Sequence, residues 1–250
     1  MQKIFTIAHR GDSGTYPENT ILSISKAFEN SADIIEMDVQ ITKDQDLVLF
    51  HDRDMVRITN ESKQIADFTL NELQQKDVGI WKDRQFEGIR IARFKDVLTK
   101  IPREAAFIVE VKPQRIDLEN NFNLERLILE ELDNANRDLG AGYISVRSEE
   151  SFEWITSNSS KYPVGLMQKK REIDEYHRIL EDYGIHIAQI RWRNYTQSDI
   201  EELKGMGCKI LAFYGDQPED WDVLINLGVD GILTNYPGRL SDYLKSKLRS

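Results

Sequence analysis

Two short stretches of the sequence each carry a pair of charged residues two positions apart. Glu36 and Asp38 lie in DIIEMDV, and Glu110 and Lys112 lie in AFIVEVK. Side chains alternate between the two faces of a β-strand, so both members of each pair point the same way. On a face packed against helices, each buried charge would be strongly destabilising. We therefore expect both pairs to point into a polar cavity.

Three carboxylates that converge in one cavity repel one another. Without a bound cation, this repulsion raises their pKa values or destabilises the fold. The ligands would be oxygen atoms, with no cysteine nearby in the sequence, which favours a hard divalent ion over zinc. The pattern predicts one divalent cation held by Glu36, Asp38 and Glu110, and it leaves both Ca²⁺ and Mg²⁺ open.

Two of the four histidines end apolar runs, so both can reach the same cavity. His9 ends KIFTIAH, and His51 ends VLFH. Hydrolysis of a phosphodiester needs one group to take a proton from the nucleophile and another to protonate the leaving alkoxide, and histidine titrates near neutral pH. Arg10 and Lys112 would supply positive charge to the phosphoryl oxygens, and the arginine can bind two of them at once.

Eight apolar, β-branched runs must position these side chains, and they predict strands at 3–9, 33–39, 106–112, 143–146, 162–167, 186–191, 208–213 and 230–234. Helical patterns lie between most of them, several ending in glycine, at 20–30, 123–140, 151–158, 172–184, 198–207 and 219–228. This rhythm predicts an α/β fold, a TIM-type (β/α)8 barrel with its site at the carboxyl ends of the strands. A doubly wound sheet is the alternative, but no GxGxxG follows the first strand. His177 and His186, in a helical pattern and at a strand start, are predicted to be structural.

The alternation breaks once, between about residues 40 and 92. The segment is too long for a simple crossover, and it offers one short strand at 47–52 and one short helix at 69–77. Long ordered loops in compact domains are usually functional. We expect one catalytic barrel domain over residues 1–250, with 40–92 as an insertion after the second strand that lies over the mouth of the barrel.

The composition is that of an ordinary water-soluble globular protein, with 40% hydrophobic and 30% charged residues and no apolar window long enough to cross a bilayer. A net charge of -10 argues against nucleic acid or anionic lipid as a partner, although a small phosphate ester can enter a locally positive pocket. The amino-terminal apolar stretch is too short for a secretory signal, and the single cysteine, Cys208, excludes an intramolecular disulfide. We expect a cytoplasmic protein without a membrane anchor, and the oligomeric state stays open.

Several sequence blocks together resemble the signature blocks of the glycerophosphodiester phosphodiesterases. These are HRG and PENT five residues apart, EMDVQITKD followed by LVLFHD, then VEVK, and finally GVDGILTNYP. The resemblance covers nearly the whole chain. It implies a TIM-type barrel with a small insertion after the second strand, which agrees with the break in the strand and helix rhythm.

Carried over by position, the resemblance implies a role for each candidate residue. It makes Glu36, Asp38 and Glu110 the metal ligands, His9 and His51 the acid and base, and Arg10 and Lys112 the phosphate-binding residues. Glu18 of the PENT block receives a supporting role. The implied reaction is metal-dependent hydrolysis of a glycerophosphodiester to sn-glycerol 3-phosphate and an alcohol.

Two other functions remain open at this stage. A lysophospholipase D would keep the chemistry but needs an apolar channel for an acyl chain. A non-catalytic barrel that only binds a phosphoester is the second alternative, because a fold does not guarantee its chemistry. All the carboxylates and histidines are present, which disfavours binding without catalysis.

The walls of the site are less well determined than its centre. Asn235 stands where the family pattern has aspartate before the last Tyr-Pro, and the seventh strand ends in LAFYGD. Phe213, Tyr214 and Trp192 follow strands, and each could equally line the pocket or pack in the core. Arg147 and Arg191 also follow strands. Either could contact a polar headgroup, although solvation at the surface is the commoner outcome for such residues. The substrate preference is therefore open.

Overall fold

A closed barrel forms the centre of the molecule in a computed structural model of the chain, which describes residues 3–112, 122–167, 178, 181–183 and 187–247. Within these residues the strands are β1 Phe5–Ala8, β2 Ile34–Ile41, β3 Leu47–Leu49, β4 Asp54–Met55, β5 Glu61–Gln64, β6 Ala106–Val111, β7 Tyr143–Val146, β8 Val164–Met167, β9 Ile187–Ile190, β10 Lys209–Phe213 and β11 Gly231–Thr234.

The barrel consists of β1, β2 and β6 to β11, all paired in parallel. Their order is β1-β11-β10-β9-β8-β7-β6-β2, and β2 returns to β1 through the pairs Ile7 with Ile34 and Ala8 with Ile35. The eight predicted strands are all confirmed, with their ends displaced by no more than two residues. The predicted TIM-type barrel with a small insertion after the second strand is therefore confirmed.

Helices follow most strands and pack their apolar faces against the outside of the barrel. In the described residues they are α1 Ile21–Glu29, α2 Val56–Thr59, α3 Leu70–Gln74, α4 Phe94–Lys100, α5 Asn123–Asn134, α6 Glu149–Asn158, α7 Gln197–Gly205, α8 Pro218–Leu227 and α9 Pro237–Lys247. None of these helices combines the length and apolar character needed to span a bilayer.

One predicted helix is shorter in the structure, and most of another lies outside the described residues. The helix predicted over 123–140 ends at Asn134, because Asn136 takes a left-handed conformation with φ 46°. The buried guanidinium of Arg137 then donates to the carbonyl oxygens of Ile101 and Pro102, at 3.0 and 2.6 Å, and fixes the turn. Most of the helix predicted over 172–184 lies outside the described residues, as do His177 and His186.

Strands β2 and β6 are buried on both faces, which explains how they can carry charges. Ile35, Met37 and Val39 belong to the apolar cluster that the helices cover. The alternating residues Glu36 and Asp38 therefore face the barrel interior, and the register places Asp38 beside Glu110. The prediction that Glu36 and Asp38 lie on the same face of their strand is therefore confirmed.

The segment after β2 has its own small apolar cluster. β3 pairs antiparallel with the end of β2, and β4 pairs antiparallel with β5. Its buried side chains are Val48, Phe50, Met55, Ile58, Ile65, Phe68, Leu73, Val78 and Ile91. The strand predicted at 47–52 shortens to β3 and the helix predicted at 69–77 shortens to α3. Because the cluster is separate, we propose that 40–92 is a subdomain inside one catalytic domain.

Candidate active site

Three carboxylates from two adjacent strands meet inside the barrel. One oxygen each of Glu36, Asp38 and Glu110 lies within 4.8 Å of the others. The three residues are 1%, 1% and 5% exposed. Among the described residues, Glu36 Oε1 is buried without a hydrogen-bond partner. A buried oxygen without a donor, next to two more carboxylates, fits a bound divalent cation.

Basic side chains surround this cluster unevenly. Lys112 Nζ lies 2.8 Å from Glu110 Oε1 and 3.2 Å from Asp38 Oδ1, while Arg10 Nε lies 3.2 Å from Asp38 Oδ2. Among the described residues, the one hydrogen bond that Glu36 accepts comes from the backbone N–H of Arg10, at 2.9 Å. Burial, together with the charges of Asp38 and Glu110, raises the pKa of Glu36 well above its usual range.

Asp38 has the opposite shift. Its burial would raise its pKa, but the charges of Lys112 and Arg10 outweigh this effect and hold the pKa well below the usual range. The side-chain amide of Asn19 also donates to Asp38 Oδ2 at 2.8 Å. Glu36 thus lacks the neutralising side chains that Asp38 has, and a divalent cation would supply that missing charge.

The loop after β1 brings His9 and Arg10 to this end of the barrel. The backbone N–H of His9 donates to the carbonyl oxygen of Thr234 at 2.9 Å, which extends the pairing of β1 with β11. Gly11 follows with φ 80°, and a Cβ there would lie 2.5 Å from the carbonyl carbon of Ser23. Ser23 Oγ in turn donates to the carbonyl oxygen of Arg10 at 3.1 Å. The loop is therefore fixed against the start of α1.

His9 has a neutral hydrogen-bond partner. Its Nδ1 lies 2.9 Å from Asn235 Oδ1, and Asn235 Nδ2 donates to Asp216 Oδ2 at 2.6 Å. Because that amide nitrogen is engaged with Asp216, the amide oxygen faces the ring, so Nδ1 carries the hydrogen and Nε2 is an acceptor. Burial and the charge of Arg10 lower the pKa of His9 to about 4. The Tyr214 ring stacks on His9, with centroids 5.9 Å apart.

His51 has a charged partner instead. Its Nδ1 lies 2.6 Å from Asp52 Oδ1, and Arg57 Nε donates to Asp52 Oδ2 at 2.6 Å. Gln40 of β2 donates to the carbonyl oxygens of Phe50 and Asp52, both at 2.8 Å, and so holds this segment to the barrel. The hydrogen bond between Nδ1 and the Asp52 carboxylate fixes the orientation of the His51 ring.

Glu18 connects the two halves of the site. It accepts from Arg10 Nη1 at 2.9 Å, and its two oxygens accept from Arg57 Nη1 at 2.9 Å and Nη2 at 2.7 Å. The hydrogen bonds thus run from His51 through Asp52, Arg57 and Glu18 to Arg10. Sequence reasoning missed Asp52 and Arg57, although the carboxylate directly after His51 was an available signal.

A cavity of about 680 Å³ opens beside both histidines, and Glu36 and Glu110 line its inner end. Phe213 and Tyr214 line the wall of this cavity, which is the first of the two alternatives for these residues. Trp192 is instead buried, and its Nε1 donates to the carbonyl oxygen of Tyr214 at 3.2 Å.

The two arginines for which surface solvation and a headgroup contact were both open lie at the site. Both are exposed, but Arg147 and Arg191 line the cavity beside His9 and His51. Arg147 also donates to Glu110 Oε1, with Nε at 3.0 Å and Nη2 at 2.7 Å. Closure of the barrel aims the ends of β7 and β9 at one opening, which sequence position alone does not reveal.

Comparisons with known proteins agree with this geometry. The family model described as the glycerophosphoryl diester phosphodiesterase family matches residues 9–239. A glycerophosphodiester phosphodiesterase of Caldanaerobacter subterraneus is 33% identical over 97% of this chain and 98% of its own length. A glycerophosphodiester phosphodiesterase of Bacillus subtilis is 28% identical over 94% of this chain and 84% of its own.

A solved structure has the same fold. It is an Oleispira antarctica phosphodiesterase in complex with the product sn-glycerol 3-phosphate, with a TM-score of 0.89 and 23% identity. The match covers 98% of this chain and 97% of that one.

Proposed function

Because this chain belongs to the glycerophosphoryl diester phosphodiesterase family, we propose that it hydrolyses glycerophosphodiesters to sn-glycerol 3-phosphate and an alcohol, using one divalent cation. The observation that carries this proposal is the group of three buried carboxylates, two of which, Glu36 and Glu110, line the same cavity as His9 and His51. Two titratable rings beside a cation site are what phosphodiester hydrolysis requires.

Glu36, Asp38 and Glu110 are the proposed ligands, and either Ca²⁺ or Mg²⁺ suits their oxygen atoms. When bound, such a cation polarises the phosphoryl oxygens and stabilises negative charge in the transition state. Arg10 and Lys112 stand directly against these carboxylates, so they place further positive charge beside the phosphoryl group. Arg10 is held for this purpose by Glu18.

We assign different proton-transfer roles to the two histidines from their hydrogen-bond partners. His9 donates to a neutral amide and lies beside Arg10, so its ring stays neutral and Nε2 can accept a proton from the nucleophile. His51 is held by the Asp52 carboxylate, which orients its ring on the other side of the carboxylate cluster's cavity, and we assign to it the protonation of the leaving alcohol oxygen. The nucleophile can be water or the neighbouring glycerol hydroxyl, in which case a cyclic phosphate forms first.

The proposal is tested with metal-stripped protein and glycerophosphocholine. Release of sn-glycerol 3-phosphate should be absent after chelation and should return when Ca²⁺ or Mg²⁺ is added singly. Glu36→Ala and His9→Ala should abolish turnover while the thermal unfolding transition is retained, whereas Glu87→Ala, at an exposed position in the insertion, should have no effect. Near-wild-type turnover by either site variant would end this assignment.

The same assay separates the alternative functions. Faster hydrolysis of lysophosphatidylcholine than of its deacylated analogue would identify a lysophospholipase D. Tight binding of glycerophosphocholine without metal-dependent turnover would identify a binding protein. We propose a cytoplasmic location because the single cysteine, Cys208, is buried and unpaired, as in proteins of reducing compartments.

A further inference from the structure

Three exposed arginines converge on the cavity from separate parts of the chain. Arg53 follows β3, Arg147 follows β7 and Arg191 follows β9, and all three line the cavity that contains His9 and His51. The whole chain has a net charge of -10. A positive opening on an acidic protein attracts anions by its local field.

These arginines are poorly neutralised by the protein itself. Within the part of the chain that the structure describes, neither Arg53 nor Arg191 has a carboxylate within salt-bridge distance, and Arg147 pairs only with Glu110. Other exposed arginines, such as Arg126 and Arg193, do pair with a carboxylate. The guanidinium groups of Arg53 and Arg191 are therefore available for a ligand.

A smaller cavity of about 270 Å³ adjoins the main one and shares His51, Arg53 and Arg147 with it. Its other described lining residues are Lys112, Asp52 and two glutamines, Gln40 and Gln64. We call it the side cavity. Asp52 is its one carboxylate among the described residues, and that carboxylate is already bonded to His51 and Arg57. Arg53, Arg147 and Lys112 face the side cavity, and of these three Arg53 is the one without a carboxylate partner among the described residues.

The chemistry of the side cavity disfavours a choline headgroup. A quaternary ammonium group is recognised by the faces of Trp, Tyr or Phe rings, and none of these three residue types is among the described residues that line the side cavity. Guanidinium forks instead match carboxylates and phosphates in bidentate geometry. These groups suit a polar alcohol that carries negative charge.

The position of His51 indicates which part of the substrate enters the side cavity. His51 lines both cavities, and in the proposed function it protonates the oxygen of the leaving alcohol. The leaving oxygen must lie within hydrogen-bond reach of the ring, so the rest of the alcohol extends past His51. The side cavity is a space beside His51 that none of the three clustered carboxylates lines.

We propose that the side cavity is a headgroup subsite that selects glycerophosphodiesters whose alcohol carries a phosphate or carboxylate, with Arg53 as its main selecting residue. This inference rests on the proposed hydrolysis and names its preferred substrate class. Arg147 and Lys112 contribute charge to the same subsite, but both also contact Glu110, so only Arg53 can be changed without disturbing the carboxylate cluster.

A panel of three substrates tests this inference. Glycerophosphocholine has a cationic headgroup, glycerophosphoglycerol a neutral one and glycerophosphoinositol 4-phosphate an anionic one, and kcat/KM is measured for each with saturating divalent cation. We expect kcat/KM to rise with negative headgroup charge, with the anionic substrate favoured over the choline ester at least about tenfold at low salt. The preference should shrink as salt is added.

The outcomes are distinguishable. Equal or better hydrolysis of the choline ester, or no advantage of the anionic over the neutral headgroup, would overturn the subsite while leaving the hydrolase assignment intact. Turnover of none of the three substrates would overturn both.

Variants locate the preference. Arg53→Gln should lower the ratio of kcat/KM for the anionic substrate over the choline ester about tenfold. Arg191→Gln should lower this ratio less, because Arg191 lines only the main cavity. Arg84→Gln removes the same charge from an exposed turn of the insertion outside both cavities and should leave the ratio unchanged. An equal fall in kcat/KM for all three substrates in Arg53→Gln would show a structural role and refute the selection.

Discussion

Arg57→Gln is expected to lower kcat without weakening the binding of the divalent cation. Arg57 lies on α2 in the insertion and does not contact any of the three clustered carboxylates. Its guanidinium makes one hydrogen bond to Asp52 and two to Glu18. It therefore fixes the carboxylate that orients His51 and links it to the residue that holds Arg10.

The size of the effect follows from these three bonds. The Arg57 side chain is 41% exposed, so solvent screens each bond, and we assign each about 0.5 to 1 kcal/mol. Together they amount to about 1.5 to 3 kcal/mol of positioning free energy. If this is lost in the transition state, kcat falls about 10- to 150-fold. KM should change little, because Arg57 does not line the main cavity.

The assay combines steady-state kinetics with calorimetric titration of the cation. Arg57→Lys keeps a charge but cannot bridge two carboxylates in one plane, so its kcat should lie between those of wild type and Arg57→Gln. Arg84→Gln, in the same insertion, is the control for loss of charge. Wild-type kcat in Arg57→Gln would refute the reasoning, and a loss of cation affinity as large as the loss of kcat would show that Arg57 acts on the metal centre instead.

Three further predictions concern the metal centre and the fold. Glu36→Gln removes one of the three carboxylate charges. It should raise the Kd for Ca²⁺ or Mg²⁺, measured by calorimetry, at least about 100-fold. An unchanged Kd would exclude Glu36 as a ligand. Burial, with a smaller contribution from Asp46, raises the pKa of Glu131 to about 7 from an ordinary value of 4.5, so this group destabilises the fold increasingly as pH rises from 4.5 to about 7. Because the carboxyl is only partly buried, Glu131→Gln should raise the free energy of urea unfolding by about 1 to 2 kcal/mol at pH 8 and by almost nothing at pH 4.5. The exposed control Glu130→Gln should not show this pH dependence. A stabilisation by Glu131→Gln that is independent of pH would contradict the prediction. Gly142→Ala would place a Cβ 1.8 Å from the carbonyl oxygen of Phe107 and should lower the free energy of urea unfolding by about 3 kcal/mol. In the control Gly205→Ala, the new Cβ meets no atom within 4 Å. Equal stability of the two variants would argue against the close approach at Gly142.

The sequence alone determined the barrel and the centre of its site. A parallel strand buried on both faces must be almost wholly apolar, so each barrel strand left a recognisable β-branched run in the sequence. The two exceptions within such runs, at Glu36 with Asp38 and at Glu110 with Lys112, were informative because a buried charge requires a partner. Local rules of this kind depend only on alternation along one strand.

The insertion was less predictable from sequence. Its short strands and helices have weak periodicity, and the strand predicted at 47–52 was reduced to Leu47–Leu49. Its segments are held by a separate apolar cluster and by hydrogen bonds from Gln40, which no sequence pattern records.

Only the tertiary structure decided which side chains act together around the site. Glu18 and Arg57 are 39 positions apart, and His9 and Asn235 are 226 apart, yet each pair is hydrogen-bonded. The same is true of Arg53, Arg147 and Arg191, which come from three separate segments to one opening. Their proximity arises because closure of the barrel brings the carboxyl ends of all its strands to one face, and the spacing of residues along the chain contains no record of which side chains then become neighbours.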